Sequence, residues 1–293
     1  MRPLFSRLGT LVLLTLAPLA ALPGCDALER VAAGAARPTA SVRSAALQSL
    51  SPEGATLGLD VLIDNPNRFA LPLSDLAYRL SVAGAEVASG EAELDGSVPA
   101  NGSRSVRIPI TVAFAEVLRA GGGVRPGTVV PYTASATLRA NAAGALEALG
   151  PIELPLETSG ELPVPALPRV AVDGLSWRRL SLQAADATLR VRVENTNAFP
   201  IDVSRLSANV SLAGVSVGDA RAVGGAAIRP GEAAVVELPL SFRPAQLGLG
   251  ALNALRGERV SYALDGALGV GTPFGPIEFP LRTAGTTPSG EGR

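Results

Sequence analysis

The chain has 293 residues, 47% of them hydrophobic and 17% charged, which argues against disorder and leaves room for two domains of ordinary size. All 25 basic residues are Arg, so neither His nor Lys is available for acid–base chemistry, and the single Cys cannot form a disulfide within the chain. No basic stripe with interleaved aromatics appears, which argues against nucleic acid as a partner.

From the N-terminus, Arg2 and Arg7 precede an apolar run from Leu8 to Leu22, followed by Pro23, Gly24 and Cys25. A positive start, a short apolar stretch and a small-residue end form the anatomy of a secretory signal over residues 1–24. The run is shorter than the ~20 residues of a membrane span, and Pro18 interrupts it. The ending Leu22-Pro23-Gly24-Cys25 resembles the bacterial lipobox, in which cleavage between Gly24 and Cys25 goes with lipid attachment to the Cys25 sulfur. A plain secretory signal with an incidental thiol is the alternative. Without residues 1–24, 23 Arg stand against 26 acidic residues, a net charge of −3. Residues 25–39, rich in Ala and Gly, read as a tether.

Two stretches then carry one design. Val61-Leu62-Ile63-Asp64-Asn65-Pro66-Asn67-Arg68-Phe69 and Val191-Arg192-Val193-Glu194-Asn195-Thr196-Asn197-Ala198-Phe199 lie 130 positions apart, each an apolar strand running into an Asn-x-Asn turn that closes on Phe. The register holds at Ser74/Ser204, Leu76/Leu206, Gly84/Gly214, Pro109/Pro239 and Tyr132/Tyr262. It slips by five residues at the end, where Gly150–Leu156 matches Gly275–Leu281. This is an internal duplication.

The dominant period within each copy is two. Leu57, Leu59, Val61 and Ile63 alternate with more polar residues, as do Leu189, Val191 and Val193 in the second copy. Such alternation buries one face and wets the other, as in antiparallel sheets. Pro109, Pro155, Pro239 and Pro280 fall within strands, where a residue without an N–H belongs on an edge. One short helix is expected per copy, over Ala115–Ala120 and about Pro244–Arg256. Six or seven short strands per copy with turns at regular spacing predict a β-sandwich. The domains are expected at 40–161 and 170–284, with a stiff Pro-rich linker at 162–169 and a disordered tail at 285–293.

Asp64-Asn65-Pro66-Asn67 after an alternating strand, then Leu71-Pro72-Leu73 and Leu76-Ala77-Tyr78-Arg79-Leu80, then Val98-Pro99-Ala100-Asn101-Gly102 before Val106–Val112, resembles the type 2 LEA fold, also called the WHy domain. The resemblance covers nearly all of residues 40–159 and, less closely, 170–283; the second copy has Thr196 at the family's Pro and Ala208 where Tyr78 stands. It implies an all-β protein of two tandem immunoglobulin- or fibronectin-III-like antiparallel sandwiches after the lipoprotein signal. It also implies an association with desiccation and stress tolerance.

Candidate sites are few. Asn65, Pro66 and Asn67, with Asn195, Thr196 and Asn197, read as structural turns, because Asn side chains bond their own backbone and Pro presets φ; a recognition loop is the alternative. Asp60, Asp64 and Asp75 lack the spacing of an oxygen-ligand cation loop, so no metal is expected. Trp177 is expected to pack at the start of the second sandwich with Arg178 and Arg179 solvated. Glu91 and Glu93 share an exposed strand face. No catalytic residue and no cofactor is expected. The functional expectation is a non-enzymatic, membrane-anchored envelope lipoprotein with a structural or stress-protective role. The alternative is a lipid- or protein-binding module using the sandwich interior or its edge strands. The partners would be a membrane, through acylated Cys25, and an envelope protein or lipid. The location would be the bacterial cell envelope, facing the periplasm or exterior, with Asp26 pointing to the inner membrane.

Overall fold

The computed structural model describes residues 36–141, 152–246 and 249–291. Gly24, Cys25 and Asp26, with most of the expected tether, lie outside them. The first copy comprises β1 (Thr39–Leu50), β2 (Gly54–Asn65), β3 (Leu71–Val82), β4 (Ala85–Glu93), β5 (Ser97–Val98), β6 (Gly102–Ala113), helix α1 (Phe114–Arg119), β7 (Thr128–Ala140) and β8 (Ile152–Val164). The second repeats the order: β9 (Arg169–Leu180), β10 (Ala185–Glu194), β11 (Ile201–Leu212), β12 (Val215–Val223), β13 (Ala227–Ile228), β14 (Ala233–Phe242), a 3-10 turn, helix α2 (Leu249–Leu255), β15 (Arg259–Thr272) and β16 (Gly275–Glu291). Each copy thus has eight strands, most of them long, rather than six or seven short ones.

In the first copy a three-stranded sheet, β1-β2-β6, faces a second sheet, β4-β3-β7-β8, to which β5 adds by pairing with β3. The second copy has the same two layers, β9-β10-β14 and β12-β11-β15-β16. Alternation decides which residues face inward: Leu57, Leu59, Val61 and Ile63 of β2 are buried, as are Ala187, Leu189, Val191 and Val193 of β10. Each Leu, Ile or Val among them contributes about 1.5–3 kcal/mol through removal from water. The β3–β4 and β11–β12 hairpins turn on Ala83-Gly84 and Ala213-Gly214, all four at positive φ, which is the two-residue geometry that matches strand twist. The helices close the sandwich ends, Phe114 and Val117 being buried in one copy and Leu255 in the other.

Pro109, Pro155 and Pro239 lie on β6, β8 and β14, which are edge strands. Pro280 differs, because β16 also pairs with β9. That second ladder is confined to Ser289–Glu291, so the proline sits on a stretch bonded only to β15.

Two expected boundaries are corrected. Leu162, Pro163 and Val164 belong to β8 and pair with Val130, Val129 and Thr128, so the connection is only residues 165–168, in which Pro165 and Pro168 are buried. Prolines that read as a linker are tolerated there because β8 needs no donors on its outer side. Residues 285–291 are not a disordered tail. They extend β16, pairing Tyr262 with Gly285 and Arg259 with Pro288, then run parallel to β9 from Ser289 to Glu291. This last ladder joins the two layers of the second copy; among the described residues the first copy shows no such ladder. Among the described residues no helix is long and apolar enough to cross a membrane.

Candidate functional site

Both Asn turns sit where a long inner strand leaves the sandwich, and both are buried: Asn65 is 2% exposed, Asn67 5%, Asn195 0% and Asn197 2%. The Asn65 Nδ2 donates to the carbonyls of Phe69 at 2.7 Å and Pro99 at 3.1 Å. Its Oδ1 accepts from the Asn67 backbone N–H at 3.1 Å and from Asn67 Nδ2 at 3.0 Å. The second copy repeats this arrangement. Asn195 Nδ2 donates to Phe199 O at 2.8 Å and Ile228 O at 3.1 Å, while its Oδ1 accepts from the Asn197 N–H at 2.9 Å and Asn197 Nδ2 at 3.1 Å.

The second Asn of each turn reaches back 31 residues. Asn67 Nδ2 donates to Ala36 O at 2.8 Å and Asn67 Oδ1 accepts from the Ala36 N–H at 2.9 Å. Asn197 makes the same pair with Ala166, at 3.2 and 2.7 Å. The side-chain amide thereby imitates a strand neighbour for the segment leading into β1 or β9. The signal was present in the sequence, since Ala36-Arg37-Pro38 and Ala166-Leu167-Pro168 keep the 130-residue offset of the repeat. With donors and acceptors of both side chains engaged, the turns offer a latch within the fold and little for a ligand to bond. Buried polar groups that are satisfied in this way fix one arrangement of the chain.

The second turn has a further task. The Ala198 N–H donates to Gly127 O at 2.6 Å, from the loop before β7 of the first copy, and the Gly127 N–H donates to Val164 O at 2.7 Å. Thr196 Oγ1 donates to Leu167 O at 3.2 Å, so the residue that departs from the family's Pro ties down the connection. Leu50 and Val129 of the first copy pack against the second core. Gly127 holds φ +89, and a Cβ there would stand 2.6 Å from Thr196 O. The Gly127→Ala variant should lose about 1–3 kcal/mol from backbone strain and the lost close approach. The check is faster proteolysis at residues 165–168 with both sandwiches still folded.

The acidic candidates are held by arginines. Asp60 accepts from Arg107 Nε at 2.6 Å and Nη2 at 3.2 Å, and from Ser44 Oγ at 2.9 Å. These bonds, Arg107's first, hold its carboxyl below the usual range. Asp75 accepts from Arg139 at 3.0 Å, while Asp64 is exposed and apart from both. Asp173 forks onto Arg192 at 2.9 and 2.7 Å. Among the described residues no group of three or more His, Cys, Asp or Glu could hold a metal ion. Trp177 is buried at 6% exposure, edge-on to Phe242 at 6.2 Å, and its indole N–H donates to Ser289 Oγ at 2.8 Å; Arg178 and Arg179 are exposed. Glu91 and Glu93 are exposed on one face of β4.

A surface groove of about 500 Å³ beside β9 and β16 is lined by Leu167, Pro168, Leu268, Pro280 and Leu281 together with the charged Arg169, Arg192, Glu194 and Arg282, with Leu167 57% exposed at its lip.

Comparison with known proteins gives consistent matches. A family model described as late embryogenesis abundant protein matches residues 60–148 and 190–285, one region in each copy. The late embryogenesis abundant protein Lea14-A of Gossypium hirsutum is 25% identical over 131 residues, 45% of this chain and 84% of that protein. A desiccation protectant protein, the Lea14 homolog of Glycine max, matches with the same identity and coverage. Among solved structures, a solution structure from Arabidopsis thaliana covers 46% of this chain and 86% of its own, with 19% identity and a TM-score of 0.37. The solution structure of a putative late embryogenesis abundant protein covers 49% and 79%, with 24% identity and a TM-score of 0.37.

Proposed function

The chain belongs to the late embryogenesis abundant type 2 family, in two tandem copies, and from that premise we propose that it is a non-enzymatic protein with a structural or desiccation-protective role, held on the cell envelope by a lipid on Cys25. The observation that carries the protective part is the match of the family model to both copies, together with relatives named as a late embryogenesis abundant protein and a desiccation protectant. The non-enzymatic part is supported by the absence of His and Lys from the whole sequence and by the engagement of Asp60, Asp75 and Asp173 with arginines. The anchor rests on the sequence alone: the apolar run of residues 8–22, and the single Cys directly after Gly24. Acyl chains contribute about 0.8 kcal/mol per buried methylene, so two or more on one Cys hold a folded domain to a membrane.

Two measurements test the parts separately. A labile enzyme dried with this protein should keep more activity on rehydration than one dried with an equal mass of an unrelated folded protein. Equal recovery in both arms sinks the protective role. Intact mass of the membrane-extracted protein should correspond to a chain that starts at Cys25 and carries acyl groups, with the Cys25→Ala variant released from membranes. An unmodified mass sinks the anchor.

A second reading, a lipid-binding module, is favoured by the groove beside Leu167, whose lining combines apolar side chains with arginines. Protein purified without its signal should then release bound lipid on solvent extraction, and lipid-free protein overturns that reading.

A further inference from the structure

The end of the second copy that faces away from the first carries charges that the first copy lacks. At that end β9 finishes at Leu180, β10 begins at Ala185, β14 finishes at Phe242 and β15 begins at Arg259. Strand pairing draws these positions together. Ala185 lies between Leu180 and Phe242, Glu291 lies beside Trp177, and Arg259 lies beside Pro288. Five arginines scattered through the sequence, Arg178, Arg179, Arg243, Arg256 and Arg259, thereby share one rim, and all five are exposed. Their counterparts at the 130-residue offset are Gln48, Ser49, Ala113, Pro126 and Val129, none of them charged. That end of the first copy is the one that meets the second, through Gly127 and Ala198.

The acidic residues at the rim are Asp186, Glu258 and Glu291, so five arginines against three acids leave a surplus of two positive charges. Among the described side chains only Arg179 of the five meets a carboxylate, that of Asp186 at 3.7 Å. The acidic residues outside the described ones are Asp26, Glu29 and Glu147, and none belongs to the second copy. Between Arg243 and Arg256 the chain has no charged residue and holds Leu247, Leu249, Leu252 and Leu255. This stretch forms the 3-10 turn at Pro244–Gln246 and helix α2. The Ala245 N–H donates to Leu182 O at 2.9 Å, which seats the stretch against the turn between β9 and β10, where Leu182 is 41% exposed.

Guanidinium groups match phosphate with a fixed fork of donors, and an anionic bilayer attracts arginines close to its surface. An apolar segment bracketed by arginines has the composition of a surface that rests in the headgroup layer, with cations at the phosphates. We propose that this free end of the second copy is a docking surface for the phosphate headgroups of an anionic lipid bilayer, with Leu182 entering the headgroup layer. The apolar element favours lipid over a soluble polyanion, which offers the arginines a partner and the leucine none. Ala36 is held by Asn67 at the opposite end of the tandem, so this contact is separate from any lipid on Cys25. The inference depends on neither the protective role nor the anchor.

The test uses the chain from residue 25 with Cys25→Ala, which has no thiol to acylate, sedimented with vesicles of phosphatidylcholine alone or mixed with phosphatidylglycerol. The protein should pellet with the mixed vesicles, stay in solution with phosphatidylcholine alone, and come off as salt is raised. Arg178→Gln and Arg243→Gln should each weaken binding about fivefold, the equivalent of about 1 kcal/mol for one arginine at such a surface. Leu182→Ser should weaken it as well. Arg190→Gln and Arg221→Gln, at exposed positions on the sheet faces of the same copy, should leave it unchanged. A urea midpoint equal to the parent's shows that each variant is folded. The proposal is overturned if the mixed vesicles leave the protein in solution, or if the sheet-face variants weaken binding as much as the rim variants. It is also overturned if Leu182→Ser binds as tightly as the parent while inorganic polyphosphate displaces both, which would assign the rim to a soluble polyanion. None of these results bears on the drying experiment or the intact mass.

Discussion

Replacing Asn195 by Ala should cost the second sandwich about 3–5 kcal/mol, among the largest losses available from a single side chain in this protein. The side chain is fully buried, and its amide serves the carbonyls of Phe199 and Ile228 and the N–H of Asn197. Alanine leaves all three unpaired in a site that water does not reach, at about 1–3 kcal/mol each before relaxation. It also frees Asn197, whose amide holds Ala166 at the approach to β9. The loss should appear as a lower urea midpoint followed by Trp177 emission. Trp177 is the only Trp in the chain and lies in this copy, so the signal is local. A change below about 1 kcal/mol would mean that the network does not hold the end of the sandwich. Asn195→Asp sharpens the test. It keeps the shape but sets a carboxylate against two carbonyl oxygens, so its folded pKa should rise above the unfolded value near 4. Its destabilisation should therefore be smallest below that value and grow as pH rises toward neutrality.

Ending the chain at Ala284 should be equally damaging, by about 3–5 kcal/mol. The truncation removes the ladder from Gly285 to Pro288 against β15 and from Ser289 to Glu291 against β9, and it uncovers Val172, Leu175 and Trp177. Burying one such side chain is worth about 1.5–3 kcal/mol, and Trp177 also loses the acceptor for its indole N–H. The emission of Trp177 should shift to the red in the folded, truncated protein, before any denaturant is added. Unchanged emission and midpoint would show that residues 285–291 contribute nothing to the fold. The loss should fall mainly on the second sandwich, whose two layers this ladder joins.

Much of this architecture could be read from spacing. The repeat, the inward stripes and the edge positions of Pro109, Pro155 and Pro239 all follow from period and from what proline lacks. Trp177 and the approximate helix positions, Phe114–Arg119 and Leu249–Leu255, also agree with expectation. What the sequence hid was made by backbone. Residues 285–291 have the composition of a linker, yet strand pairing asks only for N–H and C=O groups in register, and a neighbouring strand was available to provide them. Leu162-Pro163-Val164 misled for the same reason, since an outer strand has no use for the missing donor. The Asn67–Ala36 and Asn197–Ala166 pairs were hidden because one partner in each is an alanine, whose side chain signals nothing. The repeat offset exposes them once both turns are aligned. The Gly127–Ala198 contact between copies left no trace, being two main-chain groups brought together only by the tertiary fold.

The arginine–carboxylate pairs have a chemical consequence beyond holding the surface together. Arg107, Arg139 and Arg192 each face acidic partners that raise an already very high pKa, so these contacts keep their charge through the whole alkaline range in which a lysine would lose its own. No lysine stands anywhere in the sequence, so there is no side-chain ε-amine for an aldehyde to attack. Reducing sugars, which concentrate as water leaves, condense with such amines and cross-link the proteins that carry them. A surface whose cations are all guanidinium closes that route while keeping its charge.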